Sequence, residues 1–225
     1  MQISIVGTGN MGAAIATRAL AGGHRVRLAD RDLAKAKALA EDLRERVPGA
    51  EVDQAALGEP GRDEGAPGRG TLGAADIVVL ALPFAAAREV AAAYRQELAG
   101  RIVVDITNPV DFATFDSLVV PPGTSAAEQI AAAAPAARVV KAFNTTFAGN
   151  LAAGQAGGVA LDVFIAGDDA QARQAVADLA ASGGLRPIDA GPLRRARELE
   201  GFQFLHMTLQ QTLGTHWASA IKILG

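Results

Sequence analysis

Residues Met1 to Gly12 read MQISIVGTGNMG: a short apolar run of strand type (Ile3, Ile5, Val6) runs straight into a glycine-rich turn. That turn, Gly7-Thr8-Gly9-Asn10-Met11-Gly12, fits G-x-G-x-x-G and opens an alanine-rich helix. In the dinucleotide-binding form of this pattern, Gly7 permits the tight turn and Gly9 lets a pyrophosphate approach the backbone. Gly12 lets the helix pack closely on its strand, and the helix N-terminus offers unpaired N–H groups to phosphate. Six such residues arise readily by chance, so the context matters. A strand precedes them, a helix follows, and the next strand-like segment, Arg25 to Ala29, closes on Asp30. That is about the twenty-residue distance at which a ribose-binding acid is found. The combination predicts a nucleotide site.

Outward from this turn, the first helix is expected over Asn10 to Ala21, with Met11, Ile15 and Ala19 on one face and Gly22-Gly23 as its stop. A second runs from about Asp32 to Arg46. Gly58 to Gly70 has turn chemistry throughout and reads as an exposed loop, with a lid as one possible role. Ile77 to Leu82 is a continuous apolar run, the mark of a strand buried on both faces. Pro83 suits the first position of a helix reaching about Leu98. Ile102 to Ile106 is another buried strand, leading into Thr107-Asn108-Pro109. Ser125 and Glu128 have capping-box spacing for a helix to about Ala134, and Arg138 to Phe143 forms a strand ending in Asn144-Thr145-Thr146.

This alternation predicts a Rossmann-type, doubly wound α/β domain with a mostly parallel sheet over residues 1–150. Ligands on such sheets sit outside the carboxyl ends of the strands. Four segments therefore converge on one crevice: Gly7 to Gly12, Leu82-Pro83-Phe84, Thr107 to Pro109, and Phe143 to Thr145. Residues 151–225 read as a small C-terminal α/β extension that ends in a long helix, carrying the acceptor site and dimer contacts. Asp162 to Ala166 is its strand, and Asp168 or Asp169 caps a helix to Ala181. Pro187 argues against a central strand at Leu185 to Asp189. From Gly191-Pro192 a helical pattern runs to about Leu224, with bends possible at Gly201 or Gly214. Its stripe of Leu199, Phe202, Leu205, Leu209, Leu213, Trp217 and Ala220 reads as core or as a dimer seam, with a lining for a flat cofactor as the rarer alternative.

Bulk properties narrow the functional classes. Half of the 225 residues are apolar, yet no run approaches a membrane span. The N-terminus enters a strand at once, without the pattern of a secretory signal, and there is no cysteine. The expectation is a cytoplasmic protein without disulfides or thiolate metal sites. A net charge of −3, with one Trp and one Tyr, gives no footprint for nucleic acid.

Together, GTGNMG, DIVVLALP, DITNP, VVKAFNT, VFIAGDD and LRPIDAGPL, followed by Ala196-Arg197 and Glu200, resemble the coenzyme F420-dependent NADP oxidoreductase family. The resemblance covers essentially the whole chain, and VVKAFNT and DAGPL are its most specific parts. It implies that Gly7, Thr8, Gly9, Asn10, Met11 and Gly12 carry the pyrophosphate. It places Asp30, Arg31 and Lys35 around the adenosine ribose, and Leu82, Pro83 and Asn108 near the nicotinamide. The stretch Ala142 to Thr146, with Phe143, Asn144 and Thr145 inside it, falls where the family's second cofactor stacks on the nicotinamide. The activity implied is hydride transfer between NADP(H) and coenzyme F420, in a homodimer.

Two positions depart from the family pattern. The enzyme that gives the family its name has a hydroxyl residue, followed by basic ones, where this chain has Asp30. A carboxylate there suits the free 2′-hydroxyl of NAD and repels a 2′-phosphate, while Arg31 and Lys35 could still clamp one. At Asn144 the characterised deazaflavin enzymes tend to have a histidine-containing segment, which leaves the acceptor open between F420 and a flavin-like ring.

Hydride transfer between flat rings asks mainly for geometry, and the cofactor supplies the reactive bond. Reduction of a carbonyl or imine, the alternative enzyme reading, needs a proton donor. The candidates are few: His24 in a turn, His206 and His216 on the expected C-terminal helix, Lys141 within a strand, and Lys222 near the end. A nucleotide-binding redox sensor without turnover is the reading from another class.

Overall fold

The computed structural model describes residues 1–58 and 70–224; most of the loop expected at Gly58 to Gly70 lies outside them. The chain alternates strand and helix from the start: β1 (Gln2–Val6), α1 (Asn10–Ala21), β2 (Arg25–Asp30), α2 (Leu33–Arg46), β3 (Val52–Ala56), β4 (Ile77–Leu80) and α3 (Phe84–Ala93). It continues through β5 (Ile102–Asp105), α4 (Ala126–Ala133), β6 (Arg138–Lys141) and α5 (Ala148–Ala153). A small hairpin, β7 (Gln155–Ala156) with β8 (Val159–Ala160), precedes β9 (Asp162–Gly167), α6 (Ala170–Ser182) and β10 (Arg186–Gly191). A 3₁₀ turn at Leu193–Arg195 leads into α7 (Ala196–Leu213).

Eight strands form one sheet in the order β10-β9-β6-β5-β4-β1-β2-β3. Neighbouring strands run parallel except β6 and β9, which pair antiparallel. The mostly parallel Rossmann-type sheet expected from the alternation is therefore present, and β9 and β10 extend it rather than forming a sheet of their own. The chain leaves β1 toward β2 and β3 on one side, then returns past β1 to continue with β4 and β5 on the other. A crevice opens at such a switch point.

Successive side chains of a strand point to opposite faces. Ile77 and Val79 thus join Ile3, Ile5 and Leu28 in a core closed by Ile15 and Ala19 of α1, Leu43 of α2 and Val176 of α6. Val78 and Leu80 join Val6 and Val103 under Ala87 and Ala91 of α3 and Ile130 of α4. Burial on both faces explains why β4 and β5 are apolar at nearly every position. The many alanines on α1, α3 and α4 let these helices sit close to the sheet. Among the described residues, no helix is long and apolar enough to cross a membrane.

The structure departs from the sequence expectations in a few places. Pro83 is the N-cap of α3, outside its first turn, and the helix ends at Tyr94 instead of Leu98. Tyr94 donates its hydroxyl to the carbonyl of Gly58. The last helix stops at Leu213, because Gly214 takes a left-handed conformation (φ 61°). It runs through Gly201 as one helix, and Trp217 and Ala220 lie beyond it. Pro187 is accommodated because β10 is an edge strand.

Candidate functional site

The glycine turn follows β1 directly. Gly7 has φ +101°, and a Cβ there would collide with the carbonyl of Ala81 and the side chain of Leu82. A Cβ on Gly12 would collide with the carbonyl of Gly7. These two glycines are demanded by the protein's own packing. Gly9 differs: a Cβ there meets nothing within 4 Å. The space it leaves open faces the N-terminus of α1, which has no side-chain cap and no acidic residue in its first turn. Free N–H groups beside open space are a cradle for an anion.

Asp30, the last residue of β2, is bound to the same turn. Its Oδ2 accepts from the Thr8 N–H (2.9 Å) and the Thr8 hydroxyl (2.7 Å), and its Oδ1 from the Asp32 N–H (3.0 Å). Burial pushes the carboxyl pKa up. The donors at Asp32 and Thr8, with Lys35 nearby, outweigh that and hold it below the ordinary value. Asp30 is thus ionised at neutral pH, with acceptor capacity left on Oδ1. Beside it is a pocket of about 190 Å³ with apolar walls from Leu57, Leu82 and Val90 and polar lining from Asp30, Arg31 and Glu89. Leu82 therefore lines the pocket that holds Asp30. Arg31 and Lys35 are exposed.

At the tips of β5 and β6 two carboxamides engage each other. Asn108 Nδ2 donates to the Asn144 carbonyl (2.9 Å), and Asn144 Nδ2 donates to Asn108 Oδ1 (3.0 Å). Asn144 Nδ2 also reaches the Leu199 carbonyl of α7 (3.3 Å). Asn144 Oδ1 and the hydroxyls of Thr145 and Thr107 are buried with no hydrogen-bond partner among the described residues. Buried polar atoms are rarely left this way, and three at the tips of two neighbouring strands suit a ligand that carries its own donors, such as a carboxamide. Phe143 presents Asn144 from a left-handed backbone (φ 62°), a strained conformation for a bulky residue. The side chains of Ala142 and Phe143 are packed in the core, so only their backbones reach the site.

A second pocket, about 460 Å³, is lined by Asn10 of the glycine turn together with Phe147, Ala148, Asn150, His216 and Trp217. Phe147 stacks on His206 (centroids 4.6 Å) and meets Trp217 edge-on (5.2 Å). His216 and Trp217 both have left-handed backbones, which turn the chain after α7 toward this pocket. Helical spacing alone puts Trp217 on the α7 stripe; the break comes at Gly214, one of the two bends expected from the sequence, and it brings Trp217 into this pocket instead.

Most of the proton-donor candidates are committed elsewhere. His24 bonds Ser182 Oγ (2.8 Å) and approaches the N-terminal amine (3.3 Å). His206 is buried between Gln203 and Ser219, and burial holds its pKa below the ordinary value, so its ring is neutral. Lys222 pairs with Asp162. Lys141 is fully buried in an ion cluster, which removes it as a donor to substrate. His216, by contrast, lines the pocket with Phe147 and Trp217. Among the described residues, no group of three or more His, Asp or Glu side chains could hold a metal ion.

A glycine turn at the sheet's switch point, an ionised acid closing the second strand and an uncapped helix between them define a dinucleotide-binding protein of the Rossmann class. Residues 2–109 match the family described as NADP oxidoreductase, coenzyme F420-dependent. The F420-dependent NADP reductase of Methanocaldococcus jannaschii is 30% identical over 205 residues, covering 89% of this chain and 88% of the relative. That of Methanothermobacter thermautotrophicus is 31% identical over 212 residues, covering 89% and 85%. A crystal structure of a protein from Arthrobacter sp. FB24 covers 100% of both chains at 31% identity, with a TM-score of 0.78. The chain belongs to the F420-dependent NADP oxidoreductase family and is an oxidoreductase.

Proposed function

We propose that this protein transfers a hydride between NADP(H) and a flat deazaflavin or flavin-like acceptor, with coenzyme F420 as the first choice. The observation that carries the reading is the juxtaposition at Asn10. This residue belongs to the glycine turn and also lines the aromatic-walled pocket of about 460 Å³. One nucleotide site and one site for a second flat ring therefore share a wall. The names of the two methanogen relatives, both F420-dependent NADP reductases, support the same pairing.

Gly9 and the first N–H groups of α1 would hold the diphosphate, and Asp30 the adenosine ribose. Asn108, Asn144 and Thr145 would fix the nicotinamide carboxamide. Phe147 and Trp217 would bind the acceptor ring against it. The bound pair supplies the hydride and its destination. These side chains would supply alignment at the separation of about 3–3.5 Å that transfer needs.

The test is steady-state oxidation of NADPH with coenzyme F420, FMN, and small carbonyl or imine compounds. Turnover with F420 or FMN is expected. Turnover with carbonyl or imine compounds alone would replace the reading with a simple reductase. Tight nucleotide binding without any turnover would leave a sensor.

We also propose that the protein works as a homodimer built on α7. Phe202, Leu205, Leu209 and Leu213 recur at helical spacing and are 45%, 53%, 37% and 59% exposed. The opposite face, with Leu199, Gln203, His206 and Gln210, is buried. A contiguous exposed apolar stripe fits association better than solvent. Sedimentation should report a dimer, converted to monomer by Leu205→Glu. A monomeric wild type would refute this arrangement.

A further inference from the structure

A buried ion cluster adjoins the Asn108–Asn144 pair, and no step outlined above uses it. Lys141 closes β6 and is fully buried. Its Nζ donates to Asp105 Oδ2 (2.8 Å), to Glu200 Oε1 (2.8 Å) and to the carbonyl of Thr107. Asp105 Oδ1 accepts the Thr107 N–H (2.8 Å). Glu200 enters from α7 and also accepts the N–H groups of Ala126 (2.9 Å) and Ala127 (3.3 Å). Burial, with Asp105 beside it, pushes the Glu200 carboxyl pKa up against the pull of the Lys141 ammonium, which crowds negative charge here. The N-terminus of α4 offsets it.

As a source of stability this cluster is poor. Removing three charges from water is costly, and well-packed apolar side chains of similar volume often serve as well or better. What apolar side chains cannot do is fix a peptide from both sides. Here the Thr107 N–H is held by Asp105 and its carbonyl by Lys141, and Asn108 is the next residue. On the neighbouring strand, Asn144 follows Lys141 closely and donates to the carbonyl of Leu199, the residue before Glu200. Both carboxamides are thus referenced to the same cluster.

We infer that Lys141, held between Asp105 and Glu200, is a positioning residue that sets the Asn108–Asn144 pair and thereby the protein's grip on the nicotinamide ring. This rests on the nicotinamide placement proposed above. It assigns Lys141 no contact with substrate and no proton transfer. Its effect passes through Thr107 and Asn108.

The experiment compares calorimetric affinities for NADPH and for 2′-phospho-ADP-ribose, which lacks the nicotinamide, in wild type, Lys141→Met and Glu200→Gln. The fragment's affinity should stay within about twofold. The preference for NADPH over the fragment should fall about tenfold in Lys141→Met and less in Glu200→Gln, as expected when a charged hydrogen bond is lost. A merely structural cluster would weaken both ligands together, or leave the preference unchanged in a folded variant, and either result overturns the inference. Should Lys141→Met fail to fold, Glu200→Gln, nearly the same shape, decides the matter by the same criterion. A wild type that binds fragment and NADPH equally well would overturn the nicotinamide placement first, and the inference with it. That outcome is visible before any variant is examined.

Discussion

Gly9→Val is expected to abolish nucleotide binding while leaving the protein folded. In the free protein the substitution is cheap. Gly9 has φ −73° and an extended ψ, a backbone open to any L-residue, and a Cβ there meets nothing within 4 Å. The open space is where a pyrophosphate would approach the N–H groups of α1, and two valine methyls would fill it. Isothermal calorimetry with NADPH should show at least a roughly hundredfold loss, about 2.7 kcal/mol. The melting temperature should stay within a few degrees of wild type. Valine at Gly7 or Gly12 is the instructive control, since a side chain there collides with the protein itself. Unchanged affinity in Gly9→Val would mean the diphosphate lies elsewhere.

Asp30→Ser should shift coenzyme preference toward NADPH by roughly tenfold or more, the scale of removing one nearby like charge. The Asp30 carboxylate is kept ionised by its donors at Asp32 and Thr8, with Lys35 adding to the effect. At the ribose position proposed above it would repel a 2′-phosphate and accept from a free 2′-hydroxyl. A serine removes the repulsion and leaves Arg31 and Lys35 to meet the phosphate. It also releases the Thr8 N–H and hydroxyl, so absolute affinity for either nucleotide should fall somewhat. The diagnostic quantity is the ratio of kcat/KM for NADPH and NADH. A ratio that does not move would show that Asp30 does not read the ribose.

Much of this architecture was legible because its main strands are buried on both faces and their apolar runs are hard to misread. The glycine turn, the extents of α1 and α2, and the cap at Ser125 followed from local chemistry alone. What escaped depends on tertiary context. β3, reading VDQAA, is an edge strand with mixed exposure and no alternating pattern. The β7–β8 hairpin has two residues in each strand, too few for any period to register. The four candidate segments do lie at the ends of neighbouring strands, but the aromatic pocket depends on a chain reversal after Gly214 that helical spacing masked. Lys141 looked like a donor candidate because sequence shows its charge without its partners. Asp105 and Glu200 meet it only after two crossovers and a strand reversal.

The reversal between β6 and β9 has a mechanical side. That junction pairs at only two positions, Val140 with Gly167 and Lys141 with Ala166, whereas every other junction in the sheet pairs at four or five. It is the thinnest seam in the eight-stranded sheet, and β9 and β10, which lead into α7, hang from the sheet by it. Glu200 belongs to the hanging part and reaches back across to Lys141. The ammonium inferred above to aim a carboxamide would therefore also act as a rivet, so that parting the sheet along this line would disturb the proposed nicotinamide site.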